Sequence, residues 1–263
     1  MPLQPGELDP SKQTIVAVVA SKGAGKSKYL RHLAGSYSYD QLHLDLHGVD
    51  RPAELGQKDS GYVEIGDVPA RWPERLRPEG RPLVLYYRPD AGSPTLLEDM
   101  DQAVGLAYAH GRCLVLVHEW GELAKVGQTP PMTRRTLSQG RGRQVTLLLA
   151  MHRPYRVDLM TWTQADVVIV MADGVPKPPD RQLVADNIGV DQPRFEATYQ
   201  ALQPYGYMQF DRRMPRPEPG SDAPDLRLLR YPPLSAEELR EVTRGAHQVE
   251  LGDEQPAPAS PVG

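Results

Sequence analysis

The chain has 263 residues and a formal net charge of −4, which suits one α/β domain with appendages rather than two large domains. The acidic balance excludes a protein that coats nucleic acid over its whole surface, although a machine with basic residues confined to one pore or loop stays possible. The single cysteine, Cys113, excludes an intrachain disulfide. Because no apolar run reaches the roughly 18 residues of a membrane span, we expect a soluble, cytoplasmic protein.

The first predicted element is a buried strand that runs into a glycine-rich loop and then into a helix. The loop fits the pattern G-x-x-x-x-G-K-[ST] with alanine at its first position. Gly23 and Gly25 allow positive φ, so that successive N–H groups and the start of the helix can point at phosphate oxygens. The predicted nucleotide-binding loop consists of Ala20, Ser21, Lys22, Gly23, Ala24, Gly25, Lys26 and Ser27.

Two side chains at the end of this loop have defined tasks in such a pattern. Lys26 would reach the β- and γ-phosphates, and Ser27 would bind Mg²⁺. The sequence therefore predicts binding of a nucleoside triphosphate with Mg²⁺, and the residues alone do not separate ATP from GTP.

Further apolar strand candidates recur along the chain with helical or loop segments between them. This rhythm predicts an α/β fold with a mostly parallel central sheet and helices on both faces. Residues 95–109 have the apolar spacing of an amphipathic helix. The strand candidates after the first are residues 42–46, 83–87, 114–117, 146–151, 167–171 and 207–210.

A triphosphatase also needs a carboxylate at the end of a neighbouring strand. The strand that ends at Val117 is followed by His118 and Glu119, where Asp and then Glu are expected. Glu119 is the candidate to polarise the attacking water. His118 fits the metal side poorly, since a neutral imidazole lacks the charge with which a carboxylate holds the magnesium water shell. Asp45 and Asp173 are alternative carboxylates.

A basic turn with Arg141 and Arg143 precedes an apolar strand that ends in His152, Arg153 and Pro154. Together with the glycine-rich loop and the strand before Glu119, this order resembles the HerA/FtsK superfamily of RecA-like P-loop ATPases. The resemblance covers roughly residues 14–210.

The resemblance implies an ATP-driven motor that moves double-stranded DNA and acts as a ring, expected to be a homo-hexamer. It places His152 where a polar sensor residue feels the γ-phosphate, and it makes Arg141 or Arg143 the arginine finger for a neighbouring subunit's ATP. With Lys26 and Glu119, these residues form the predicted catalytic set. Compact members such as viral genome-packaging ATPases match best, so a capsid or portal-type protein is a further expected partner, in the host cytoplasm or the virion.

Proline content sets the expected boundaries of the domain. We expect a loose N-terminal lead-in over residues 1–12, the ATPase domain over residues 13–211, and a proline-rich, largely disordered tail over residues 212–263. Within the tail, Ser235 and Glu238 resemble a capping box, which predicts a short helix near residues 235–244.

Two other functions stay open at this point. A small-molecule kinase has a similar loop, and Arg134, Arg135, Arg141 and Arg143 could imitate its basic lid. A nucleotide-binding assembly or regulatory module with weak hydrolysis would explain the histidine at position 118. No structural metal is expected, because His43, His47, His110 and His118 have no metal-ligand spacing with Cys113.

Overall fold

A nine-stranded sheet forms the centre of the fold in the computed structural model, which describes residues 8, 11, 13–35, 37–46, 62–215 and 227–231. The strands are β1 (Ile15–Val19), β2 (Gln41–Leu44), β3 (Tyr62–Ile65), β4 (Val84–Tyr87), β5 (Cys113–Val117), β6 (Val145–Met151), β7 (Val167–Met171), β8 (Tyr207–Asp211) and β9 (Leu228–Tyr231). The helices are α1 (Lys26–Gly35), α2 (Leu96–His110), α3 (Trp120–Leu123), α4 (Pro131–Gln139), α5 (Leu159–Gln164), α6 (Pro178–Ile188) and α7 (Gln192–Gln200).

The strand order across the sheet is β3-β4-β2-β5-β6-β1-β7-β8-β9. The strands from β3 to β7 in this order pair in parallel, and β8 and β9 add antiparallel pairs at one side. The carboxyl ends of β1, β2, β5, β6 and β7 therefore meet at one edge of the sheet. Open parallel sheets bind their ligands at this edge.

Alternation along β1 shows that both faces of the sheet are covered. Ile15, Ala17 and Val19 pack into one hydrophobic cluster, which also contains residues of α2, α5, α6 and α7. Val16 and Val18 pack into a second cluster with apolar residues of α1. The predicted fold class, a mostly parallel sheet with helices on both faces, is confirmed, and the predicted strands and the helix at 95–109 differ from the observed ones by at most two residues at an end.

Two strands were not predicted. β3 is a four-residue strand at the side of the sheet, too short for a readable period. β9 lies in the part of the chain that we expected to be tail, and it pairs with β8 so that Leu228 faces Phe210. Part of the predicted tail thus belongs to the sheet, whereas the helix predicted near 235–244 lies outside the described residues.

None of the helices that the structure describes combines the length and the apolar content that crossing a bilayer requires.

Candidate nucleotide-binding site

The glycine-rich loop joins β1 to α1 at the carboxyl edge of the sheet. The N–H of Ala20 donates to the carbonyl of Met151 at 3.0 Å, which ties the start of the loop to the end of β6. Gly23 and Gly25 have φ values of +87° and +88°, the left-handed region that glycine adopts without strain. The sequence-predicted phosphate loop therefore has the backbone that the pattern requires.

The turn between β7 and α6 holds this loop from the other side. The hydroxyl of Ser21 donates to the carbonyl of Asp173 at 2.9 Å. A Cβ on Gly174 would lie 2.9 Å from both Ala20 Cα and Val19 O, closer than real Cβ atoms come to backbone. Glycine at position 174 is thus what allows the two turns to touch, and Asp173 contributes its carbonyl to this contact.

Three side chains of the predicted catalytic set meet beside the loop. His152 Nε2 lies 3.0 Å from Lys26 Nζ and 2.7 Å from Glu119 Oε1. Its other ring nitrogen, Nδ1, lies 3.1 Å from the carbonyl oxygen of Ala20. The histidine is therefore the link between the phosphate-binding lysine and the candidate water-activating carboxylate.

The protonation of His152 decides which of these two neighbours it can bond. A carbonyl only accepts hydrogen bonds, so the contact with Ala20 requires a hydrogen on Nδ1. A neutral ring then presents a lone pair at Nε2, which accepts from the ammonium of Lys26. A protonated ring instead donates from Nε2 to Glu119.

Glu119 itself has a strained backbone. Its φ of +64° lies in the left-handed region, which costs free energy for a residue with a side chain. The residue stands between β5 and α3, and its neighbour His118 is buried and donates its N–H to the carbonyl of Leu44 at 3.0 Å. The sharp turn after β5 thus presents Glu119 to the cleft, and strain of this kind is common at functional sites.

The cleft around these residues has a volume of about 1260 Å³ and a basic rim. A surplus of cations at its mouth suits a ligand with several phosphates. Besides the loop residues, Glu119 and His152, the lining contains Lys28, His118, Gly121, Glu122, Arg153, Tyr155, Arg156, Gly174, Pro176, Lys177 and Asp180.

The residues present fit a magnesium ion that arrives with the nucleotide. Ser27 and Glu119 line the same cleft, and Mg²⁺ takes most of its other ligands from phosphate and water. Asp45, one of the alternative carboxylates, is fully buried and accepts a hydrogen bond from the hydroxyl of Tyr86, and it does not line the cleft. Burial, with this bond to Asp45, raises the pKa of Tyr86.

The two candidate finger arginines lie at the other edge of the sheet, before the amino end of β6. The side chain of Arg141 is 78% exposed, with one Nη 3.7 Å from Asp166 Oδ1. Arg143 donates from Nε to the carbonyl of Tyr108 at 3.0 Å and from Nη2 to the carbonyl of Ala109. The seven residues of β6 separate them from the cleft by roughly 23 Å, at about 3.3 Å per residue. Neither arginine can reach the nucleotide of its own subunit.

The arginines that could have formed a kinase lid are also absent from the described lining of the cleft. Arg134 and Arg135 lie on α4, and Arg141 and Arg143 on the turn after it. Besides the lysines of the loop and of α1, the basic residues at the cleft are Arg153 and Arg156 after β6 and Lys177 after β7, for which the sequence suggested no role. Their position after predicted strands was the available signal.

Burial lowers the pKa of Lys26, and the charge of Glu119 partly opposes this effect. The charged lysine therefore destabilises the folded protein at low pH, and this cost is relieved as the pH rises through the folded and then the unfolded pKa. A phosphate would supply the charge that the buried ammonium lacks.

We expect Lys26→Met to leave the apo protein as stable as the parent, or more stable, and to abolish stabilisation by ATP. For the parent, ATP at one hundred times its Kd should add about 2.7 kcal/mol, which raises the Tm by about 5–11 °C for a domain of this size. Thermal unfolding with and without ATP and Mg²⁺ measures both effects. Lys125→Met, which removes an exposed cation outside the cleft lining, is the control, and an equal ATP shift in parent and Lys26→Met would contradict the assignment.

Comparison with known proteins gives similarity at the level of structure. No protein-family model matches the chain, and no curated protein matches it. The structure is similar to the genome packaging NTPase B204 from Sulfolobus turreted icosahedral virus 2 in complex with AMP, with a TM-score of 0.60 at 16% identity over 86% of this chain and 99% of that chain. The complex of the same protein with ATP-gammaS gives a TM-score of 0.57 at 17% identity over 86% and 98%.

A third similar structure is B204, the DNA-packaging ATPase from Sulfolobus Turreted Icosahedral Virus, with a TM-score of 0.59 at 17% identity over 86% of this chain and 98% of that chain. At these identities the similarity shows the fold. It confirms the RecA-like P-loop architecture that the sequence predicted.

Proposed function

We propose that this chain is an ATPase of the HerA/FtsK type that hydrolyses ATP to move double-stranded DNA, as a genome-packaging motor does. The observation that carries the proposal is the contact of Lys26, His152 and Glu119 beside the phosphate loop. His152 Nε2 lies 3.0 Å from Lys26 Nζ and 2.7 Å from Glu119 Oε1. It unites a cation for phosphate, a polar side chain at the end of the central strand, and a carboxylate for water. The fold shared with packaging NTPases of two viruses supports it.

In this function each residue has a chemical task. The N–H groups of the loop and Lys26 hold the β- and γ-phosphates, and Mg²⁺, when bound, neutralises their oxygens. Glu119, released from His152, orients a water and accepts its proton as the water oxygen bonds to the γ-phosphorus. The bond from that phosphorus to the bridging oxygen breaks, which yields ADP and inorganic phosphate. His152 keeps its bond to Ala20 and reports whether the phosphate is present.

A ring of identical subunits completes the proposed site. Arg141 is exposed at the edge opposite the cleft, so its guanidinium can act only on a nucleotide held by another copy. Arg143 is committed to the carbonyls at the end of α2, which leaves Arg141 as the finger. The expected assembly is a hexamer that encircles DNA, in the host cytoplasm or the virion.

Duplex DNA is expected to raise ATP turnover several-fold, because a DNA motor completes its hydrolysis cycle efficiently only when DNA is bound. Phosphate release by the purified protein, with and without linear duplex, measures this. Turnover that ignores DNA but follows an added small-molecule acceptor would indicate a kinase. No turnover in either condition, with ATP bound, would indicate a nucleotide-binding module.

A further inference from the structure

The amino edge of the sheet, opposite the nucleotide cleft, carries a row of arginines interleaved with tyrosines. The residues come from six different elements or the turns beside them, and they are far apart in the sequence. We call them the arginine–tyrosine strip, which consists of Tyr39, Arg81, Tyr108, Arg112, Arg135 and Arg143.

Direct contacts join one half of the strip. The guanidinium carbon of Arg135 lies 4.9 Å from the centre of the Tyr108 ring, and that of Arg143 lies 5.8 Å from the same ring. The N–H of Arg112 donates to the carbonyl of Arg143 at 2.7 Å. These contacts make Arg135, Tyr108, Arg143 and Arg112 one continuous surface.

A cavity of about 500 Å³ forms the other half. Tyr39, Arg81 and Arg112 line it, and the guanidinium carbon of Arg112 lies 5.6 Å from the centre of the Tyr39 ring. The strip therefore ends in a concave site with two exposed arginines at its wall.

The strip contains four arginines, whereas Asp40 is the one carboxylate in the described lining of the cavity. Arg77, which also lines the cavity, is neutralised by Asp40 and Glu74. In contrast, no carboxylate among the described residues lies within ion-pair distance of Arg81, Arg112 or Arg135. Residues 131–144 contain four arginines and no carboxylate, in a chain whose net charge is −4. Such a local surplus on an acidic protein attracts a polyanion.

The helix that presents Arg135 is fixed in place. Asp101, a buried residue of α2, accepts hydrogen bonds from the N–H groups of Met132 and Thr133 at 3.1 Å and 2.7 Å. The first turn of α4 is thus capped by a carboxylate of α2. Arg135 is held over Tyr108 by this anchor, so the charges of the strip are preorganised.

The tyrosine rings of the strip distinguish between two kinds of nucleic acid. Proteins that bind single strands offer open aromatic faces on which bases stack. Here the rings of Tyr39 and Tyr108 already carry arginine guanidinium groups, at 5.6 Å and 4.9 Å. The guanidinium groups themselves match phosphate geometry. We propose that the arginine–tyrosine strip binds the phosphate backbone of duplex DNA, an inference that deepens the proposed function and rests on its choice of DNA as partner.

Charge removal at the strip tests the inference. The triple variant Arg81→Gln, Arg112→Gln and Arg135→Gln keeps the polar surface, and its control, Lys125→Gln, Arg194→Gln and Arg230→Gln, removes three cations elsewhere. Fluorescence anisotropy with a labelled 30-base-pair duplex is measured at several KCl concentrations. We expect weaker binding by the strip variant only, with a salt slope smaller by about 3, roughly one for each lost phosphate contact. ATP turnover without DNA should equal that of the parent.

The outcomes separate this inference from the proposed function. If the parent binds duplex and the strip variant binds it equally at every salt concentration, the strip is not the contact, and the DNA motor stands. If the parent binds no duplex, both are overturned. The inference is also overturned if the parent binds a single strand of equal length more tightly than the duplex. It is overturned as well if the strip variant keeps its DNA affinity but no longer assembles into rings in mass photometry. Thermal unfolding checks folding. The single variant Arg81→Gln gives a second reading, because the Arg81 side chain makes no hydrogen bond or ion pair with the described residues.

Discussion

Glu119→Gln is expected to lower ATP turnover by at least about 10²-fold while ATP still binds, since a positioned general base contributes about 10²–10⁴ to such a step. The amide of glutamine cannot accept the proton of the attacking water. It can still accept a hydrogen bond from His152, which now lies 2.7 Å from the carboxylate, so loss of packing does not explain the effect. Phosphate release measures turnover, and the ATP-dependent Tm shift measures binding.

Glu122→Gln is the matched control. Glu122 lines the same cleft, but its carboxylate is paired with Lys125 at 2.9 Å, an exposed pair with little energetic weight. We expect this variant to hydrolyse ATP nearly as fast as the parent. If Glu119→Gln also keeps the parent rate, Glu119 is not the base. Asp173→Asn is then the next substitution to measure, because Asp45 is buried away from the cleft.

Arg141→Ala is expected to lower turnover by about 10³-fold or more in the assembled ring, the range found for arginine fingers. Arg143→Ala should act differently, because its guanidinium binds the carbonyls of Tyr108 and Ala109 at the end of α2. Its loss is expected to lower stability by about 1–2 kcal/mol and to leave turnover by the folded protein largely unchanged. Phosphate release and thermal unfolding together separate the two variants.

Mixed rings show whether Arg141 acts on another subunit. An Arg141→Ala subunit keeps its own cleft intact, and a Glu119→Gln subunit keeps its own arginine. Where the two kinds of subunit are neighbours, Arg141 of the Glu119→Gln subunit can reach the intact cleft of the Arg141→Ala subunit. We therefore expect a mixture to hydrolyse ATP faster than either variant alone. A mixture with no gain, or an Arg141→Ala ring at the parent rate, would contradict the assignment.

Local sequence patterns were enough to predict the parallel sheet and the phosphate loop. The phosphate loop is contiguous in the sequence, so its glycines and Lys26 could be recognised directly. Glu119 and His152 follow apolar runs, and in a parallel sheet the ends of such runs meet at one edge. The contact of His152 with both Lys26 and Glu119 follows from neighbouring strands, an order that periodicity does not encode.

Other features depend on contacts between distant parts of the chain. Arg141 and Arg143 are equivalent in sequence, and only the position of the last turn of α2 shows that Arg143 is engaged. Asp45 follows β2 and was therefore an alternative to Glu119 in the sequence, but the structure buries it beside Tyr86. β9 was missed because its four residues follow a proline-rich stretch, whose composition resembles that of a tail.

β9 has a practical consequence for anyone who shortens this protein. Its ladder runs along the free side of β8, with Tyr207 opposite Tyr231 and the N–H of Asp211 donating to the carbonyl of Arg227 at 2.9 Å. A fragment cut at residue 211, where composition suggests a natural end, would present an open row of peptide groups flanked by apolar side chains. Exposed strand edges of this kind pair with those of other molecules, which leads to aggregation. Expression fragments should therefore extend at least through Tyr231.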